Sequence, residues 1–348
     1  MLKKLTYSPF YIKLTHWEYW PFHVVYFPIY FYWFWLSVKA RSFFFFSTAN
    51  PSIENSGFLM EKKKDIYDLM PKAFYPKTIL IKSDTDATTL LNLFVTNNYT
   101  YPVITKPNIG ERGVGVAKLE NEQELIQYLQ HSKVDFLLQQ WIGYSQEAGI
   151  FYYRYPNQQT GIVSGIVGKE FLQVVGNGVS TTEQLLRLNT RFVLQLAKLT
   201  TKYGKALQNV LPLNEVLILV PYGNHSRGSK FVDASNAITP QLQVAIDSIC
   251  KQISGFYFGR LDIKFNTWDD VANQKNFSII ELNGAGSEPT HIYDPKHSIW
   301  FAWKEIIKHL NILYTISKQN KVTNNLQYMT IAQGLKMFRD QKEYYKML

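Results

Sequence analysis

Apolar positions follow two different periods along most of the chain, and these periods predict an alternation of strands and helices. The predicted strands lie within 77–82, 101–119 (as a hairpin), 135–142, 147–156, 161–172, 215–223, 257–266 and 277–284. Helices with one apolar face are predicted within 61–70, 86–97, 121–132, 181–204, 239–256, 298–314 and 327–347. This mixture predicts an α+β fold, in which the strands at 147–156, 161–172 and 215–223 share one antiparallel sheet.

The segment 181–204 predicts one long helix with signals at both ends. Ser180, Thr181 or Thr182 is expected to act as the N-cap, because a hydroxyl oxygen accepts from the unpaired N–H groups of the first turn. Gly204 stands just past the last periodic residue, where a helix commonly stops.

The hairpin at 101–119 ends its first strand with Lys106 and continues into a loop that contains Gly110, Gly113 and Gly115. Glycines let the backbone turn sharply and leave its N–H groups uncovered, and a cation beside such a loop suits a phosphate group. The alternative is an ordinary hairpin with a glycine turn and a solvated lysine. This stretch therefore raises the hypothesis of a phosphate site without deciding it.

The segment 19–38 contains no charged side chain and consists largely of Tyr, Trp and Phe. Its length would just cross the ~30 Å hydrocarbon layer as a helix, but Pro21 and Pro28 are expected to interrupt it. Aromatic residues of this kind prefer the headgroup region. The cationic residues on either side are Lys3, Lys4, Lys13, Lys39 and Arg41. Residues 1–50 are therefore interpreted as an aromatic arm that lies on, more than across, an anionic membrane, the alternative being an arm packed on the protein or on a partner subunit.

Composition and charge narrow the class of protein only moderately. The chain has 348 residues, of which 46% are hydrophobic and 18% charged, so a large folded core is expected. The net charge of +10 suits nucleic acid, an anionic membrane or a polyphosphate ligand. Cys250 is the single cysteine, which excludes an intramolecular disulfide and a multi-cysteine metal site.

Four polar residues on two late strands carry the strongest chemical signal. Arg260 and Asp262 are two positions apart on one strand, and Glu281 and Asn283 are two positions apart on the next, so each pair faces one side. Oxygen ligands short of a full shell suit Mg²⁺ when nucleotide phosphates and water complete its octahedron. Arg260 would stabilise the negative charge that develops during transfer of a phosphate group. The alternative for any one of these residues is a surface salt bridge.

The order of these elements over residues 62–290 resembles the ATP-grasp superfamily, and most of all its carboxylate–amine ligases of the D-alanine–D-alanine ligase and cyanophycin synthetase type. The resemblance implies an ATP-grasp fold, with two α/β subdomains whose antiparallel sheets clasp the nucleotide. The aromatic arm stands where the family usually has a full N-terminal Rossmann-like domain. The implied division is 1–50 (membrane-associating arm), 51–100 (short lead-in segment), 101–145 (lid subdomain and hinge), 146–295 (catalytic subdomain) and 296–348 (C-terminal helices).

The resemblance also implies a set of nucleotide-binding residues. They are Lys106, Lys64 (with Lys63 as the alternative), Gly110, Gly113, Val114, Gly115, Gln140, Trp141, Ile142 and Glu147. Lys106 would contact the α- and β-phosphates, and the glycine loop would close over the β- and γ-phosphates. Gln140 stands where a glutamate often reads the exocyclic amine of adenine, the main chain of Trp141 and Ile142 would meet the ring edge, and Glu147 would take the ribose hydroxyls.

Two further segments resemble the acceptor side of cyanophycin-synthetase-like members. In 174–186, Asn177 replaces an aspartate of that family, and 222–235 resembles the loop before its last helix. The residues that would hold an acidic substrate are Arg154, Lys169, His225 and Arg227. The segment 283–295 lacks the glycine-rich stretch with which D-alanine ligases clasp a dipeptide, so the resemblance transfers ATP binding better than it transfers substrate identity.

The sequence as a whole favours a cytoplasmic, membrane-associated ligase that uses ATP and Mg²⁺, with Mn²⁺ as the alternative cation. Asp262, Glu281 and Asn283 would hold the metal, while Arg260 and Lys106 would stabilise the transferring phosphoryl group. Its substrates would be a small carboxylate and an amine, joined through an acylphosphate with release of ADP. The alternatives are an ATP-grasp kinase and a non-catalytic nucleotide-binding membrane scaffold. Nucleic acid is not expected, because aromatic-interleaved RNA motifs are lacking, and oligomerisation is left open.

Overall fold

The computed structural model describes residues 8–111, 113–220, 223 and 228–348. The helices are α1 (Pro9–Thr15), α2 (Phe22–Ala40), α3 (Lys63–Leu69), α4 (Ala87–Thr96), α5 (Glu122–His131), α6 (Thr182–Arg187), α7 (Thr190–Val193), α8 (Leu196–Tyr203), α9 (Pro240–Lys251), α10 (Trp268–Ala272), α11 (Ile299–Thr323) and α12 (Ile331–Met347). The strands are β1 (Thr78–Ile81), β2 (Val103–Pro107), β3 (Ala117–Leu119), β4 (Phe136–Gln140), β5 (Gln146–Tyr153), β6 (Ile162–Glu170), β7 (Leu172–Val175), β8 (Val216–Val220), β9 (Lys230–Asp233), β10 (Phe258–Phe265) and β11 (Phe277–Asn283). The predicted α+β class with antiparallel sheets is confirmed.

A four-stranded antiparallel sheet in the order β1-β4-β2-β3 contains the predicted hairpin. Val103 pairs with Leu119 across that hairpin. Helices α4 and α5 lie against the sheet through buried Leu90 and Leu125, and the side chains of Asp86 and Asn121 cap their N-termini. The sheet thus has a firm apolar backing from which the loop after β2 projects.

A five-stranded antiparallel sheet in the order β11-β10-β5-β6-β9 carries the four late polar residues. Asp262 is the cross-strand partner of Glu281, and Arg260 is the partner of Asn283. Helix α9 covers the opposite face of this sheet with buried residues such as Ile246. The spacing prediction is therefore confirmed, because all four polar residues lie on adjacent positions of two paired strands.

The expectation that the strand at 215–223 joins the large antiparallel sheet is wrong. Strand β8 does not join the five-stranded sheet but pairs with β7 in a separate two-stranded ribbon, and β9 takes the edge position instead. The reason is a small local core: Leu219 of β8 packs with Leu172 and Leu186 rather than with the large sheet.

The single long helix expected over 181–204 is divided into α6, α7 and α8. Thr181 is the N-cap and forms a capping box with Gln184, and Gly204 ends α8, so both terminal signals are confirmed. The division occurs because the side chain of Asn189 accepts a bond from the N–H of Arg191 and starts a new helix there.

The aromatic arm forms α2, and Pro28 lies inside this helix without ending it, contrary to the expected interruption. Pro21 does mark the start, as the N-cap. Buried Ile29 packs with residues of α11, and the Trp303 indole donates to the Val25 carbonyl at 2.8 Å. Packing against α11 thus outweighs the local preference of proline, and the structure agrees with the alternative in which the arm packs on the protein. No helix within the described part of the chain has the combination of length and apolarity needed to cross a bilayer.

The segment that follows the arm is bonded to the chain just beyond β11. The N–H groups of Ala285 and Gly286 donate to the carbonyls of Ser56 and Gly57, each at 2.9 Å. A Cβ atom on Gly57 would lie 2.7 Å from the Cα of Gly284, so only glycine allows this backbone approach. The segment that follows the arm is consequently fixed to the same strand end that carries Asn283.

Candidate active site

A cavity of about 900 Å³ is lined by residues of both large sheets and of the aromatic arm. The predicted residues that line it are Lys106, Gly110, Gly113, Val114, Gln140, Trp141, Ile142, Glu147, Lys169, Arg260, Asp262, Glu281 and Asn283. Three predicted residues are not part of the lining: Lys64, Gly115 and Arg154. His225 and Arg227 lie outside the described residues. The structure therefore brings most of the predicted nucleotide and metal residues into one cavity.

Asp262 lies at the centre of a chain of buried ion pairs. Its Oδ1 accepts from the Nε of Arg260 at 2.7 Å, and its Oδ2 accepts from the Nζ of Lys169 at 3.2 Å. Lys169 also donates to Glu147 at 2.9 Å. Burial raises the pKa of Asp262, but the adjacent Arg260 and Lys169 outweigh burial and lower the pKa to about 2. Asp262 is consequently a carboxylate at any physiological pH.

The lysine that reaches the cavity from α3 is Lys63 rather than Lys64. The Lys63 ammonium donates to Glu281 at 2.7 Å and to the carbonyl of Gly110 at 2.8 Å. Lys64 forms an ion pair with Asp68, one turn further along the same helix. Both lysines suit the sequence spacing equally well, and only the position of β11 decides between them. The assignment to Lys64 is therefore corrected to Lys63.

Lys106 is almost completely buried, with 7% of its surface exposed. Its Nζ donates to the Tyr67 hydroxyl at 2.8 Å, to the Gln139 Oε1 at 3.1 Å and to the Ile280 carbonyl at 2.9 Å. Burial lowers its pKa to about 7, and the opposing charge of Glu281 only partly offsets that effect. Tyr67 and Gln139 were not predicted; the alternation of side chains along β4 is the signal that would separate Gln139 from its neighbour.

The hinge after β4 differs in detail from the predicted adenine clamp. The Gln140 side-chain amide accepts from the Thr100 N–H at 3.2 Å and donates to the Thr100 carbonyl at 2.9 Å, so it is already occupied away from the cavity. The Trp141 ring lies between two cations, with the Nζ of Lys264 at 4.2 Å and that of Lys118 at 4.9 Å from its centre. Neither lysine was predicted. Main-chain groups of the hinge are therefore the better candidates for contact with a base.

The glycine-rich loop is held from outside by α12. Gly110, Gly113 and Gly115 all have positive φ angles, of 139°, 71° and 69°. The Glu111 N–H donates to the Tyr345 hydroxyl at 3.2 Å. Gly115 does not line the cavity, and its conformation serves a close approach to Pro107, whose Cγ would lie 2.7 Å from an added Cβ. The contact with α12 had no signal in the sequence.

Of the two predicted substrate residues that the structure describes, Lys169 lines the cavity and Arg154 does not. Arg154 lies outside the cavity, with its guanidinium 4.7 Å from the centre of the Tyr257 ring. Lys169 lines the cavity, but it bridges Glu147 and Asp262 in the ion-pair chain. Arg154 therefore stays a predicted substrate residue outside the cavity, and Lys169 one that is already bound to two carboxylates.

The far part of the cavity is apolar and was not predicted. It is lined by residues of α2, of the segment 43–59 and of α11. Glu288 lies beside them, and its Oε1 accepts from the hydroxyls of Tyr26 and Tyr293, the latter at 3.1 Å. Nearby, the Nη1 of Arg260 donates to the carbonyl of Glu288 at 3.4 Å. The arm thus contributes a wall of the same cavity that contains the ion-pair chain.

The predicted metal ligands provide carboxylate and amide donor groups. Asp262 and Glu281 supply carboxylate oxygens, and Asn283 supplies an amide whose buried Nδ2 has no hydrogen-bond partner among the described residues. Within the described ranges, no three His, Cys, Asp or Glu side chains form a metal-binding group. The set is thus limited to two carboxylates and one amide, which fits a divalent cation that keeps water and phosphate ligands.

Comparison with known proteins is consistent with this geometry. Residues 61–163 match the family model of the RimK-like ATP-grasp domain. No curated protein matches the chain. Among solved structures, the chain is similar to a bifunctional glutathione synthetase from Pasteurella multocida (13% identity, TM-score 0.40, 76% of this chain and 38% of that chain covered). It is also similar to the VanG D-Ala:D-Ser ligase from Enterococcus faecalis (16%, 0.43, 75% and 64%) and to a D-alanine–D-alanine ligase from Bacillus anthracis (10%, 0.44, 78% and 72%).

The chain therefore spans well under two thirds of the length of the glutathione synthetase and slightly less than two thirds of VanG. The family match begins at Glu61, includes Lys63, Lys106 and the glycine-rich loop, and extends through the hinge into β6. The ATP-grasp resemblance predicted from the sequence is confirmed over this range: residues 61–163 match a RimK-like ATP-grasp domain.

Proposed function

We propose that the protein is an ATP- and Mg²⁺-dependent carboxylate–amine ligase that releases ADP. The observation that carries this proposal is the single cavity in which Lys106 and the glycine-rich loop meet Arg260, Asp262, Glu281 and Asn283. A protein that only binds a nucleotide would not need the charged residues on β10 and β11. This set surrounds a position where phosphate charge would be neutralised.

The proposed reaction has two steps with balanced bonds. A carboxylate oxygen of the acid attacks the γ-phosphorus of ATP, the bond from that phosphorus to the bridging oxygen breaks, and ADP leaves. The amine nitrogen then attacks the acyl carbon of the acylphosphate, inorganic phosphate leaves, and the nitrogen loses a proton. No nucleophilic side chain is required for either step.

The residues of this chain would act by positioning and by charge. Lys106, Lys63 and the loop N–H groups would orient the phosphates, and Arg260 would stabilise negative charge on the transferring group. Glu147 would accept the ribose hydroxyls. Bound at Asp262, Glu281 and Asn283, Mg²⁺, or Mn²⁺ in its place, would neutralise phosphate charge.

The division at residues 101–145 and 146–295 into a lid and a catalytic part belongs to the same proposal. The five-stranded sheet lies within 146–295 and supports the second part, whereas the four-stranded sheet also includes β1, from the segment 51–100. Contact of the arm with an anionic membrane surface is also kept as a proposal. Its support is the outward side of α2, where Phe27, Phe31 and Phe34 are largely exposed.

The deciding experiment measures ADP release by the purified protein with Mg²⁺ and pooled carboxylic acids and amines. Glu281→Gln removes one carboxylate charge, and Lys64→Ala serves as the matched control because Lys64 lies outside the cavity. ADP release that requires both an acid and an amine, and that only Glu281→Gln abolishes, establishes the ligase. Release with an acid or an alcohol alone indicates a kinase, and ATP binding without turnover across the panel supports the scaffold alternative.

A further inference from the structure

The part of the cavity that the arm lines is apolar and offers few partners for the polar groups of a nucleotide. This part of the cavity is here named the aromatic chamber, and its walls are formed by Tyr26, Ile29, Trp33, Phe46, Phe58 and Leu313. The whole cavity of about 900 Å³ is at the upper end of the ~300–1,000 Å³ range for ligand pockets. Phosphates and ribose require polar partners, so the chamber suits a different, apolar group better than these parts of the nucleotide.

Glu288 is the carboxylate that bonds to a wall of the chamber, through the hydroxyl of Tyr26, whereas Glu18, which also lines the cavity, is paired with Arg191. Two tyrosine hydroxyls, one from the arm (Tyr26) and one from the segment after β11 (Tyr293), donate to the Oε1 of Glu288 and fix its orientation. Among the described residues, no Lys, Arg or His forms a direct ion pair with Glu288, although the more distant Arg260 interacts with its charge, whereas Asp262, Glu147 and Glu281 each have a directly bound cationic partner. Glu288 thus presents negative charge toward a site with apolar walls.

A carboxylate among apolar walls distinguishes between the two proposed substrates, the acid and the amine. An acid would be repelled by the carboxylate, whereas a protonated amine would be attracted to it and would bind by charge-assisted hydrogen bonds. The ammonium would pass one proton to the Glu288 carboxylate, which frees the nitrogen lone pair for attack on the acyl carbon. The surrounding walls would bury an alkyl or aryl group. The carbonyl of Glu288 accepts from Arg260 at 3.4 Å, so the amine would be held beside the residue proposed to stabilise the transferring phosphoryl group.

We propose that the amine substrate is a bulky apolar primary amine, with its nitrogen at Glu288 and its apolar body in the aromatic chamber. This inference rests on the proposed ligase function, and it names the class of the second substrate. It also gives the arm a direct role, because α2 supplies three of the chamber walls.

The test measures binding without turnover, by calorimetry of the full-length protein with Mg²⁺ and a non-hydrolysable ATP analogue. The probes are straight-chain primary amines of four to ten carbons, with alcohols of equal length as the uncharged comparison. The affinity of the amines should rise about fourfold for each added methylene, as expected for a buried CH₂ group. Affinity that is independent of chain length, or equal for amines and alcohols, overturns the proposal.

Three variants separate the parts of the proposal. Glu288→Gln should remove the preference for amines over alcohols while it keeps the dependence on chain length. Tyr30→Ala should reduce the dependence on chain length, because Tyr30 lines the cavity yet is partly exposed and can be truncated without opening the core. Phe31→Ala, on the exposed side of the same helix, should change neither quantity. Equal effects of Tyr30→Ala and Phe31→Ala count against the chamber as the binding site.

ADP release measured with the same probes distinguishes the two proposals. Turnover that occurs only with small polar amines leaves the ligase standing and overturns the apolar substrate. Chain-length-dependent amine binding without any turnover supports the chamber and contradicts the ligase.

Discussion

Lys63 and Glu281 form a partly buried ion pair of 2.7 Å, and the same ammonium also donates to Gly110 in the glycine-rich loop. One cation thus joins a proposed metal ligand to the loop proposed to cover the phosphates. Burial opposes its charge, but Glu281 outweighs burial and raises the pKa of Lys63 above its usual range. Lys63 is therefore a permanent cation at the point where the two proposed binding regions meet.

Replacement of Lys63 should weaken nucleotide binding far more than replacement of its neighbour. Lys63→Met should lower ATP affinity about 10- to 100-fold, since a hydrogen bond to a charged group contributes roughly 1.5–3 kcal/mol. Lys64→Met should leave affinity within about twofold, because that side chain pairs with Asp68 outside the cavity. Calorimetric Kd values of the two variants decide between the two lysines, and a similar loss of ATP affinity in both variants would return the assignment to Lys64.

Nucleotide binding should take up a proton near neutral pH. Burial lowers the pKa of Lys106 to about 7 in the nucleotide-free protein, so the side chain loses its charge as the pH rises through 7. A phosphate group beside it would favour the protonated form and raise that pKa. ATP affinity should consequently fall between pH 6.5 and 8.5, and calorimetry at pH 8 in buffers of different ionisation enthalpy should show net proton uptake.

The contribution of Glu61 to proton uptake must be separated from that of Lys106 in this measurement. Burial raises the pKa of Glu61 to about 7, only partly offset by Lys63, and an added anion would raise it further, with the same sign of proton uptake. Lys106→Arg, which stays charged, should abolish the Lys106 contribution, and Glu61→Gln should abolish only its own. If proton uptake survives in Lys106→Arg but disappears in Glu61→Gln, the assignment to Lys106 is wrong.

The bond from Glu111 to Tyr345 should restrain the glycine-rich loop. Tyr345→Phe keeps the ring and removes only the acceptor, so the amide of Glu111 should exchange with deuterium about 2- to 10-fold faster, as expected for a loss of roughly 0.5–1.5 kcal/mol. Mass spectrometry of peptides that cover 108–116 measures this rate. Lys346→Ala is the control, since Lys346 pairs with Glu343 on the exposed side of the same helix. An unchanged exchange rate in Tyr345→Phe would show that α12 does not hold the loop.

The arm should contribute directly to the stability of the whole protein. Leu36→Ala removes a fully buried side chain of α2 and should lower the free energy of unfolding by about 2–5 kcal/mol. Phe34→Ala, two residues away and 64% exposed, should change it by no more than about 0.5 kcal/mol. Urea denaturation measures both values. A negligible effect of Leu36→Ala would mean that the arm folds apart from the rest.

The outward aromatic side of α2 should govern attachment to anionic vesicles if the membrane proposal holds. Phe31→Ser and Phe34→Ser should each weaken co-sedimentation about tenfold, since burial of one aromatic side chain contributes roughly 1.5–3 kcal/mol. Neutral vesicles serve as the control for charge. Retention of full binding in the double variant would place any contact elsewhere.

Spacing along a single strand allowed the polar half of the site to be predicted. Because side chains alternate, Arg260 and Asp262 had to share one face, and the observed pairing of Asp262 with Glu281 needed only that β10 and β11 be neighbours. The choice between Lys63 and Lys64 could not be made, because adjacent helical residues point in different directions and the partner strand lies far away in sequence.

The apolar half of the cavity could not be predicted for a related reason. The bond from Tyr26 to Glu288 joins residues 262 positions apart, and neither belongs to a motif. Local patterns identified α2 as aromatic, but only its packing against α11 shows which side of it faces inward. The long helix predicted over 181–204 failed similarly, because a cap at Asn189 outweighed an unbroken apolar period.

The contact between Gly57 and Gly284 has a consequence for recognising proteins of the same design. An added Cβ on either glycine meets main-chain atoms of the other at less than 3.0 Å, so no compensating side-chain change elsewhere can make room. Homologues in which an aromatic arm docks in this way should therefore keep glycine at both positions together. Homologues that have a different N-terminal region should be free to vary at the position directly after the asparagine of β11. This paired constraint offers a sequence signature for the architecture that does not depend on the catalytic residues.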